Sequence, residues 1–305
     1  MEKVGYKGWA NCYRLANGAV ELIVTGDVGP RIIRFGFVGK ENEFYEFPKM
    51  VGRSGDKEWL VYGGHRLWHA PEEKPRTYIP DNSPVKVEDK GKFVRVVQPV
   101  EATTGIQKEM DLALSPKEAH VKVTHRLRNT GPWAVQLAPW ALTVLEQGGK
   151  VVIPLPPRGS HETSLLPTNT LTLWAYTDMS DPRWTWSEKY IMLRQDPKAK
   201  KPQKVGVMVP DGWAAYVRGG HLFLKKFTYQ AGARYGDLGC SVESFTNADM
   251  IELETLAPLA TLAPGATVEH VEDWFLFDGV PEPKSDADVD RNILPRVVAA
   301  KVSVG

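Results

Sequence analysis

Three glutamates in two neighbouring segments are the strongest candidates for acid/base chemistry. In the segment IELET, Glu252 and Glu254 are two residues apart, so a β-strand would place both carboxylates on one face. Glu243 lies in the preceding segment, CSVESFT, and a hairpin between the two segments would bring it close to the pair. Clustered carboxylates raise one another's pKa, which suits a general acid and base. The same pattern is also typical of a cation site, such as one for Ca²⁺, or of a solvated strand face.

The Gly-flanked segment GGHRLWHAPE (63–72) carries a second group of reactive side chains. Arg66 can donate two parallel hydrogen bonds to vicinal hydroxyls or to a carboxylate. His65 and His69 can each protonate an oxygen near neutral pH, and Trp68 offers a flat ring on which a sugar can stack. The two histidines are also spaced as metal ligands can be, but no third ligand is evident. The alternative for each histidine and for Trp68 is a place in the core.

The remaining candidates for substrate binding lie on other segments. Arg31, in GPRIIRFG, points either into the same site or towards a structural ion-pair partner. Lys225 and Lys226 are adjacent in FLKKF, so a strand directs them to opposite faces and only one can reach a ligand. Residues 174–186, WAYTDMSDPRWTW, are expected to form an aromatic loop that is either a wall of a cleft or a packed surface. Its candidate residues are Trp174, Asp181 and Arg183.

The elements that must position these residues are predicted to be β-strands. Residues 119–130 alternate between apolar and polar side chains, as a half-buried strand does. Similar segments recur every ~8–15 residues with Gly, Pro or Asn between them, which is typical of an all-β fold. The one helix candidate is 285–300, which Pro295 should shorten or kink. No linker divides the chain, so we expect one domain over 1–305, with residues from about 281 as a C-terminal extension.

Composition narrows the class of partner. Lys and Arg total 38 and Asp and Glu total 37, so the net charge of +1 favours neither a nucleic acid nor an anionic membrane surface. Ten tryptophans suit a neutral carbohydrate as the small-molecule ligand. There is no Gly-rich nucleotide motif, paired CxxC or HExxH, so we expect no cofactor and no metal. No apolar run suggests a signal peptide or a membrane helix, so we expect a cytoplasmic protein, although an upstream signal already removed would look the same. Nothing in the sequence indicates an oligomeric state.

Four segments, taken in order, resemble the galactose mutarotase-like superfamily. They are residues 17–37 (NGAVELIVTGDVGPRIIRFGF), 63–72, 235–247 (YGDLGCSVESFTN) and 250–277 (MIELETLAPLATLAPGATVEHVEDWFLF). The resemblance implies a large antiparallel β-supersandwich with few short helices and with its ligand on a concave sheet face. It also implies that Arg66 contacts sugar and that Glu254, in the LET segment, is the catalytic base of an aldose 1-epimerase.

The chain departs from the true epimerases in one motif. Those enzymes carry Asn-His-x-Tyr-Phe, whose histidine is the general acid, whereas the matching strand here, QLAPWALTVL (136–145), has no histidine. The chain therefore resembles a branch that lacks this motif, and His65 or His69 would have to supply the acid. The function implied is a sugar mutarotase or epimerase acting at the anomeric carbon. A glycoside hydrolase, a polysaccharide lyase and a non-catalytic carbohydrate-binding domain on the same fold remain alternatives.

Overall fold

The computed structural model describes residues 1–301, and β-strands are its main regular secondary structure, as predicted. Two short α-helices, α1 (Asp286–Asn292) and α2 (Leu294–Ala299), and a 3₁₀ turn at Arg76–Tyr78 are the helical elements of this part of the chain. The strands are β1 (Glu2–Tyr6), β2 (Trp9–Ala16), β3 (Val20–Thr25), β4 (Arg31–Phe37), β5 (Gly64–Ala70), β6 (Lys86–Asp89), β7 (Val94–Val97), β8 (Ile106–Leu114), β9 (His120–Asn129), β10 (Val135–Leu145), β11 (Lys150–Pro154), β12 (Leu171–Leu173), β13 (Trp184–Trp186), β14 (Tyr190–Arg194), β15 (Gln203–Val207), β16 (Trp213–Arg218), β17 (His221–Phe227), β18 (Val242–Thr246), β19 (Ile251–Leu256), β20 (Ala260–Leu262) and β21 (Thr267–Phe277).

The strands form two large antiparallel sheets. The first sheet has eleven strands in the order β1-β2-β3-β4-β5-β10-β19-β18-β15-β12, with β20 paired to the start of β10. The second has ten strands in the order β13-β14-β11-β16-β17-β21-β9-β8-β7-β6. Strands that are distant in sequence, such as β5 and β10, are neighbours in the first sheet. The site described below depends on these long-range pairings.

The core lies between the two sheets. On β19, Ile251 and Leu253 point into it, while Glu252 and Glu254, which alternate with them, point the other way. Phe35 from the first sheet packs against Phe223 and Trp274 from the second, with ring centroids 5.8 Å away in each case. Burying each such aromatic side chain contributes about 2–3 kcal/mol. This arrangement confirms the prediction of an all-β sandwich with few short helices.

The predicted C-terminal helix is two helices with a break at Ile293, two residues before Pro295. Ser285 caps α1, because its hydroxyl accepts a hydrogen bond from the backbone N–H of Asp288. Val289 and Val297 pack with Ile293 against apolar side chains of β11, β14 and β17 in the second sheet. The helices thus cover the outer face of that sheet, and the last four residues of the predicted extension lie outside the described part.

No helix within residues 1–301 combines the length and apolar character needed to cross a lipid bilayer. The longest, α1, has seven residues.

Candidate functional site

Four strands of the first sheet, β5, β19, β18 and β15, direct charged side chains to the face that points away from the core, and β10 lies between β5 and β19. The strand register aligns Arg66 on β5 with Leu142 on β10, Leu142 with Glu254 on β19, and Glu254 with Glu243 on β18. The predicted hairpin of β18 and β19 therefore exists and places Glu243 directly opposite Glu254. Directly opposite residues on a shared face have close β-carbons. Two carboxylates are thus held side by side near the middle of the sheet.

A cavity of about 390 Å³ opens on this face, and we call it the aromatic cavity. Trp68 lies 5.2 Å from Trp59, 5.0 Å from Tyr78 and 5.4 Å from Trp140, measured between ring centroids. Such a volume suits one small molecule, and the aromatic rings offer flat apolar surfaces to it. The aromatic lining is Phe47, Trp59, Trp68, Tyr78, Trp140, Tyr176 and Phe245, and the polar lining is Arg66, Glu72, Lys204, Asn247 and Glu252.

Arg66 and Glu252 form one of the two charged groups of the cavity. Arg66 Nη1 donates a hydrogen bond of 2.9 Å to Glu252 Oε1. The Arg66 guanidinium also lies over the rings of Trp68 and Trp59, 4.6 Å and 5.5 Å from their centroids. Because these contacts fix Arg66 on three sides, its remaining N–H groups are preorganised donors. Glu252 is 6% exposed and lines the cavity.

Lys204 on β15 joins Glu243 and Glu254 in the second charged group. Its Nζ lies 2.7 Å from Glu243 Oε2 and 3.3 Å from Glu254 Oε2. Lys204 is held between the rings of Trp140 and Trp174, 4.8 Å and 4.6 Å from their centroids. Lys204 lines the aromatic cavity, whereas Glu243 and Glu254 are fully buried behind that lining.

The two buried carboxylates differ in their other contacts. Glu254 Oε2 accepts a hydrogen bond of 2.8 Å from Trp140 Nε1, while its Oε1 has no hydrogen-bond partner within residues 1–301. Glu243 Oε1 accepts a hydrogen bond of 3.2 Å from the thiol of Cys240. Gly206 on β15 allows this packing, since a β-carbon there would lie 2.6 Å from Cys240 Sγ.

Lys204 is the single cation beside the two buried carboxylates, and this arrangement shifts the pKa values of all three groups. Burial raises the pKa of Glu243 to about 8; the charge of Lys204 opposes this shift and that of Glu254 adds to it. The pKa of Glu254 is raised by burial as well, against the effect of Lys204. Burial alone would lower the pKa of Lys204, but the two carboxylates outweigh it and hold that pKa well above its usual value. The group therefore keeps Lys204 charged and holds a proton on the carboxylate pair near neutral pH.

His65 and Lys225 lie on the opposite face of their strands, between the two sheets. His65 Nε2 and His125 Nε2 are 2.7 Å apart, and His65 Nδ1 is 2.8 Å from Thr143 Oγ1. Lys225 Nζ donates a hydrogen bond of 2.8 Å to Glu272 Oε1. Burial lowers the pKa of His65 well below its usual value, so the ring is neutral. Neither predicted residue reaches the aromatic cavity.

This interior cluster is also the place where the described residues come nearest to a metal site. Ligand atoms of His65, His125 and Glu272 lie within 4.8 Å of one another. The 2.7 Å separation of the two ring nitrogens is a hydrogen-bond distance, shorter than two ligands of one metal ion adopt. Lys225 already supplies the positive charge that Glu272 requires. The cluster is therefore satisfied without an ion and fits a structural role.

Of the other predicted site residues, only Trp174 lies beside the aromatic cavity. Arg31 forms the structural ion pair that was its alternative, with Nη2 2.9 Å from Asp81 Oδ2. Asp181 and Arg183 pair with each other through two hydrogen bonds of 2.9 Å and do not line the aromatic cavity. His69 lies on the interior face of β5, 3.4 Å from Glu101, whereas Trp174 covers Lys204 at the site.

Several residues of the site were absent from the sequence prediction. Lys204 is the main omission, and its signal was that it is the only charged residue in the apolar strand KVGVMVP. Trp140 lies in the strand considered only for its missing histidine. Trp59 and Tyr78 come from segments without a motif. Tyr176 and Phe245 lie in segments that the sequence singled out, but neither was named as a candidate, and only the fold brings the four together.

Comparison with known proteins identifies the fold. A galactose mutarotase-like protein from Lactobacillus casei superposes with a TM-score of 0.60 at 9% identity, covering 88% of this chain and 100% of that one. A candidate aldose 1-epimerase from Klebsiella pneumoniae gives 0.59 at 13% identity, covering 93% and 82%. A galactose mutarotase related enzyme from Lactobacillus acidophilus gives 0.52 at 9% identity, covering 90% and 99%.

The sequence itself matches no family model and no curated protein. The chain nevertheless has the galactose mutarotase-like fold, as the resemblance of the four sequence segments implied.

Proposed function

We propose that the aromatic cavity binds a neutral sugar and that the protein is a mutarotase-type isomerase acting at the anomeric carbon. The observation that carries this proposal is a cavity that combines an aromatic wall with the Arg66–Glu252 pair and with Lys204, which Glu243 and Glu254 hold from behind the lining. Solved proteins with the same fold bear mutarotase and aldose epimerase names, which supports the same class of reaction.

The chemistry of the lining favours an uncharged pyranose. Aromatic rings suit the C–H faces of a sugar, and Arg66, Glu72 and Asn247 offer donors and acceptors to its hydroxyl groups. Both lining cations already face carboxylates, since Arg66 pairs with Glu252 and Lys204 with Glu243 and Glu254. A phosphate on the sugar would therefore find no unpaired cation among the described residues of this cavity.

Ring opening needs a base at the anomeric hydroxyl and a proton donor at the ring oxygen. Glu252 lines the cavity, and its Oε1 is bonded to Arg66, which leaves Oε2 to take the hydroxyl proton. As this proton leaves, the C1–O5 bond breaks and C1 becomes an aldehyde. Lys204 Nζ passes a proton to O5 while the Glu243 carboxyl, whose pKa is about 8, returns one to Nζ, so the net donor is Glu243. Rotation about C1–C2 and the reverse transfers close the ring as the other anomer and return both protons.

Glu243 and Glu254 act in this scheme through Lys204. They keep its ammonium charged and aimed at the cavity, and the proton held on Glu243 lies beside Lys204 to restore it. The superfamily resemblance assigns the base to Glu254 instead. We prefer Glu252 because Glu254 is 0% exposed behind Trp140 and Lys204. The unpartnered Oε1 of Glu254 is the observation that favours the alternative.

Anomer exchange tests the proposal directly. Polarimetry and NMR exchange spectroscopy with a panel of aldoses should show interconversion of α and β anomers above the buffer rate. Glu252→Gln should lower turnover by about 10²-fold while sugar affinity, measured by calorimetry, changes little. Glu269→Gln, at an exposed carboxylate on β21, is the matched control and should have no effect.

The outcomes separate the competing functions. A loss confined to Glu254→Gln would make Glu254 the base, as the resemblance implies. Sugar binding without anomer exchange would indicate a non-catalytic binding protein, and cleavage of oligosaccharides would indicate a hydrolase or lyase. If no sugar changes the tryptophan fluorescence or gives heat on binding, the aromatic cavity is not a carbohydrate site and the proposal is wrong.

A further inference from the structure

A second cavity, of about 290 Å³, lies where the end of β5 meets the starts of β8 and β10, and we call it the aliphatic cavity. Ile106 on β8 and Leu137 on β10 form its apolar floor together with Ile79. His69 and Arg76 also line it. Unlike the first cavity it has no Trp, Tyr or Phe among its described lining residues, so it does not offer a stacking surface for a sugar.

The aliphatic cavity contains buried polar atoms with unmet hydrogen-bonding capacity. His69 is 1% exposed; its Nε2 lies 3.4 Å from Glu101 Oε2, and its Nδ1 has no hydrogen-bond partner within residues 1–301. Arg76 Nε is inaccessible to water and has no partner in the same part of the chain, while Nη2 donates to the Pro71 carbonyl at 2.7 Å. Unpaired buried donors of this kind are rare without a ligand or an ordered water.

The charges around the cavity leave one cation without a counter-ion. Lys108 Nζ and Glu101 Oε1 are 2.6 Å apart and neutralise each other. Burial lowers the pKa of His69, the contact with Glu101 opposes this shift, and the charges of Lys108 and Arg76 add to it, so the imidazole is neutral at pH 7. Arg76 is half-buried, and it forms no ion pair with a carboxylate of residues 1–301. Arg76 is therefore a cation at this cavity without a carboxylate partner among the described residues, and an anionic group can pair with it.

We propose that the aliphatic cavity binds a small organic monocarboxylate with an apolar body. Its carboxylate would pair with Arg76, and its body would pack on Ile79, Ile106 and Leu137. The volume is near the lower end of the range for small-molecule pockets. This site is independent of the proposed isomerase function, because it shares no lining residue with the aromatic cavity.

The two cavities are nevertheless joined by two short elements. On β5, Trp68 lines the aromatic cavity and the next residue, His69, lines the aliphatic one. In the 3₁₀ turn, Tyr78 lines the first cavity and Arg76 the second. A carboxylate bound at Arg76 would thus fix the turn that carries Tyr78. Any coupling between the two sites must be reciprocal.

Calorimetric titration with phenylacetate and hexanoate tests the proposal. We expect one site per chain, with phenylacetamide, the neutral analogue of the first probe, binding at least about tenfold more weakly. Arg76→Gln should weaken phenylacetate binding by about tenfold or more, whereas Arg291→Gln, at an exposed arginine on α1, should not. Leu137→Trp should abolish binding by filling the cavity.

Three results would overturn the proposal: no heat with either acid, equal affinity for phenylacetamide, or unchanged affinity in Arg76→Gln. If Leu137→Trp fails to fold, the Arg76→Gln comparison still decides. Because none of these readouts involves a sugar or anomer exchange, a negative result here leaves the proposed isomerase untouched, and a negative result there leaves this site untouched.

Discussion

Replacing Lys204 with methionine should lower the free energy of unfolding, because it removes the cation that Glu243 and Glu254 share. Methionine keeps an unbranched stem of similar length between the rings of Trp140 and Trp174 but carries no charge. Glu243 and Glu254 would then face each other across adjacent strands without a cation. Removing one partner from a buried ion pair costs about 3–5 kcal/mol of the free energy of unfolding, because the remaining charge stays buried and unpaired.

The loss of unfolding free energy in Lys204→Met should be larger at high pH than at low pH. The folded pKa of Glu243 is about 8, whereas a glutamate in the unfolded chain titrates near its ordinary value of about 4.3. Folded Glu243 thus holds a proton that the unfolded chain has released, so stability falls as the pH rises through this interval. In Lys204→Met the free energy of unfolding should fall more steeply with rising pH than in the unchanged protein. We expect the full loss of about 3–5 kcal/mol at about pH 8. At about pH 5, where both carboxyls can be protonated, only the lost hydrogen bonds, about 1–2 kcal/mol, should remain.

Urea unfolding at the two pH values, followed by circular dichroism, measures both losses. The control is Lys86→Met, which removes an exposed lysine paired with Glu88 and should cost less than about 1 kcal/mol at either pH. Adding Glu243→Gln to Lys204→Met should recover part of the loss at the higher pH, since it removes one of the two opposed charges. A loss that is equal at the two pH values, or no larger than that of Lys86→Met, would refute the assignment of Lys204 as the shared counter-cation.

Two further substitutions address the sugar site and the sandwich interior. Trp68→Ala should weaken sugar binding by about 1–3 kcal/mol in a calorimetric titration, because it removes one wall of the aromatic cavity and a ring that holds Arg66. His65→Ala should leave sugar affinity unchanged but lower the urea stability by about 1–3 kcal/mol, since His125 Nε2 and Thr143 lose a buried partner. A selective loss of turnover in His65→Ala, without loss of stability, would instead support its role as the missing acid.

The alternation of side chains along a strand predicted much of this arrangement. It placed Glu252 and Glu254 on one face of β19, and the short connection between two apolar segments predicted the hairpin that brings Glu243 opposite Glu254. Lys204 could not be found in this way, because β15 is adjacent to β18 only through pairing between segments about 40 residues apart in the chain. No local pattern encodes such a contact.

Periodicity also could not decide which face of β5 meets the ligand. In GHRLWHA the residues His65, Leu67 and His69 share one face, and Arg66 and Trp68 share the other. Both faces carry groups capable of chemistry, so the sequence favoured a single site containing His65, Arg66 and His69. The structure separates them because both faces of this strand are covered, one by the second sheet and one by the aromatic side chains of the cavity.

Polar contacts between the two sheets keep the two faces of these strands separate, because they fix the register of each strand. His65 follows the Gly63–Gly64 turn and bonds to His125 on the second sheet, while the next residue, Arg66, forms part of the aromatic cavity. Thr255, directly after Glu254, donates a hydrogen bond of 2.6 Å to Glu272, also on the second sheet. A slip of one residue in either strand would turn these groups to the wrong face and leave buried polar atoms unpaired. The interior cluster therefore fixes the register of the two strands that carry Arg66 and Glu254, and with it the geometry of the cavity.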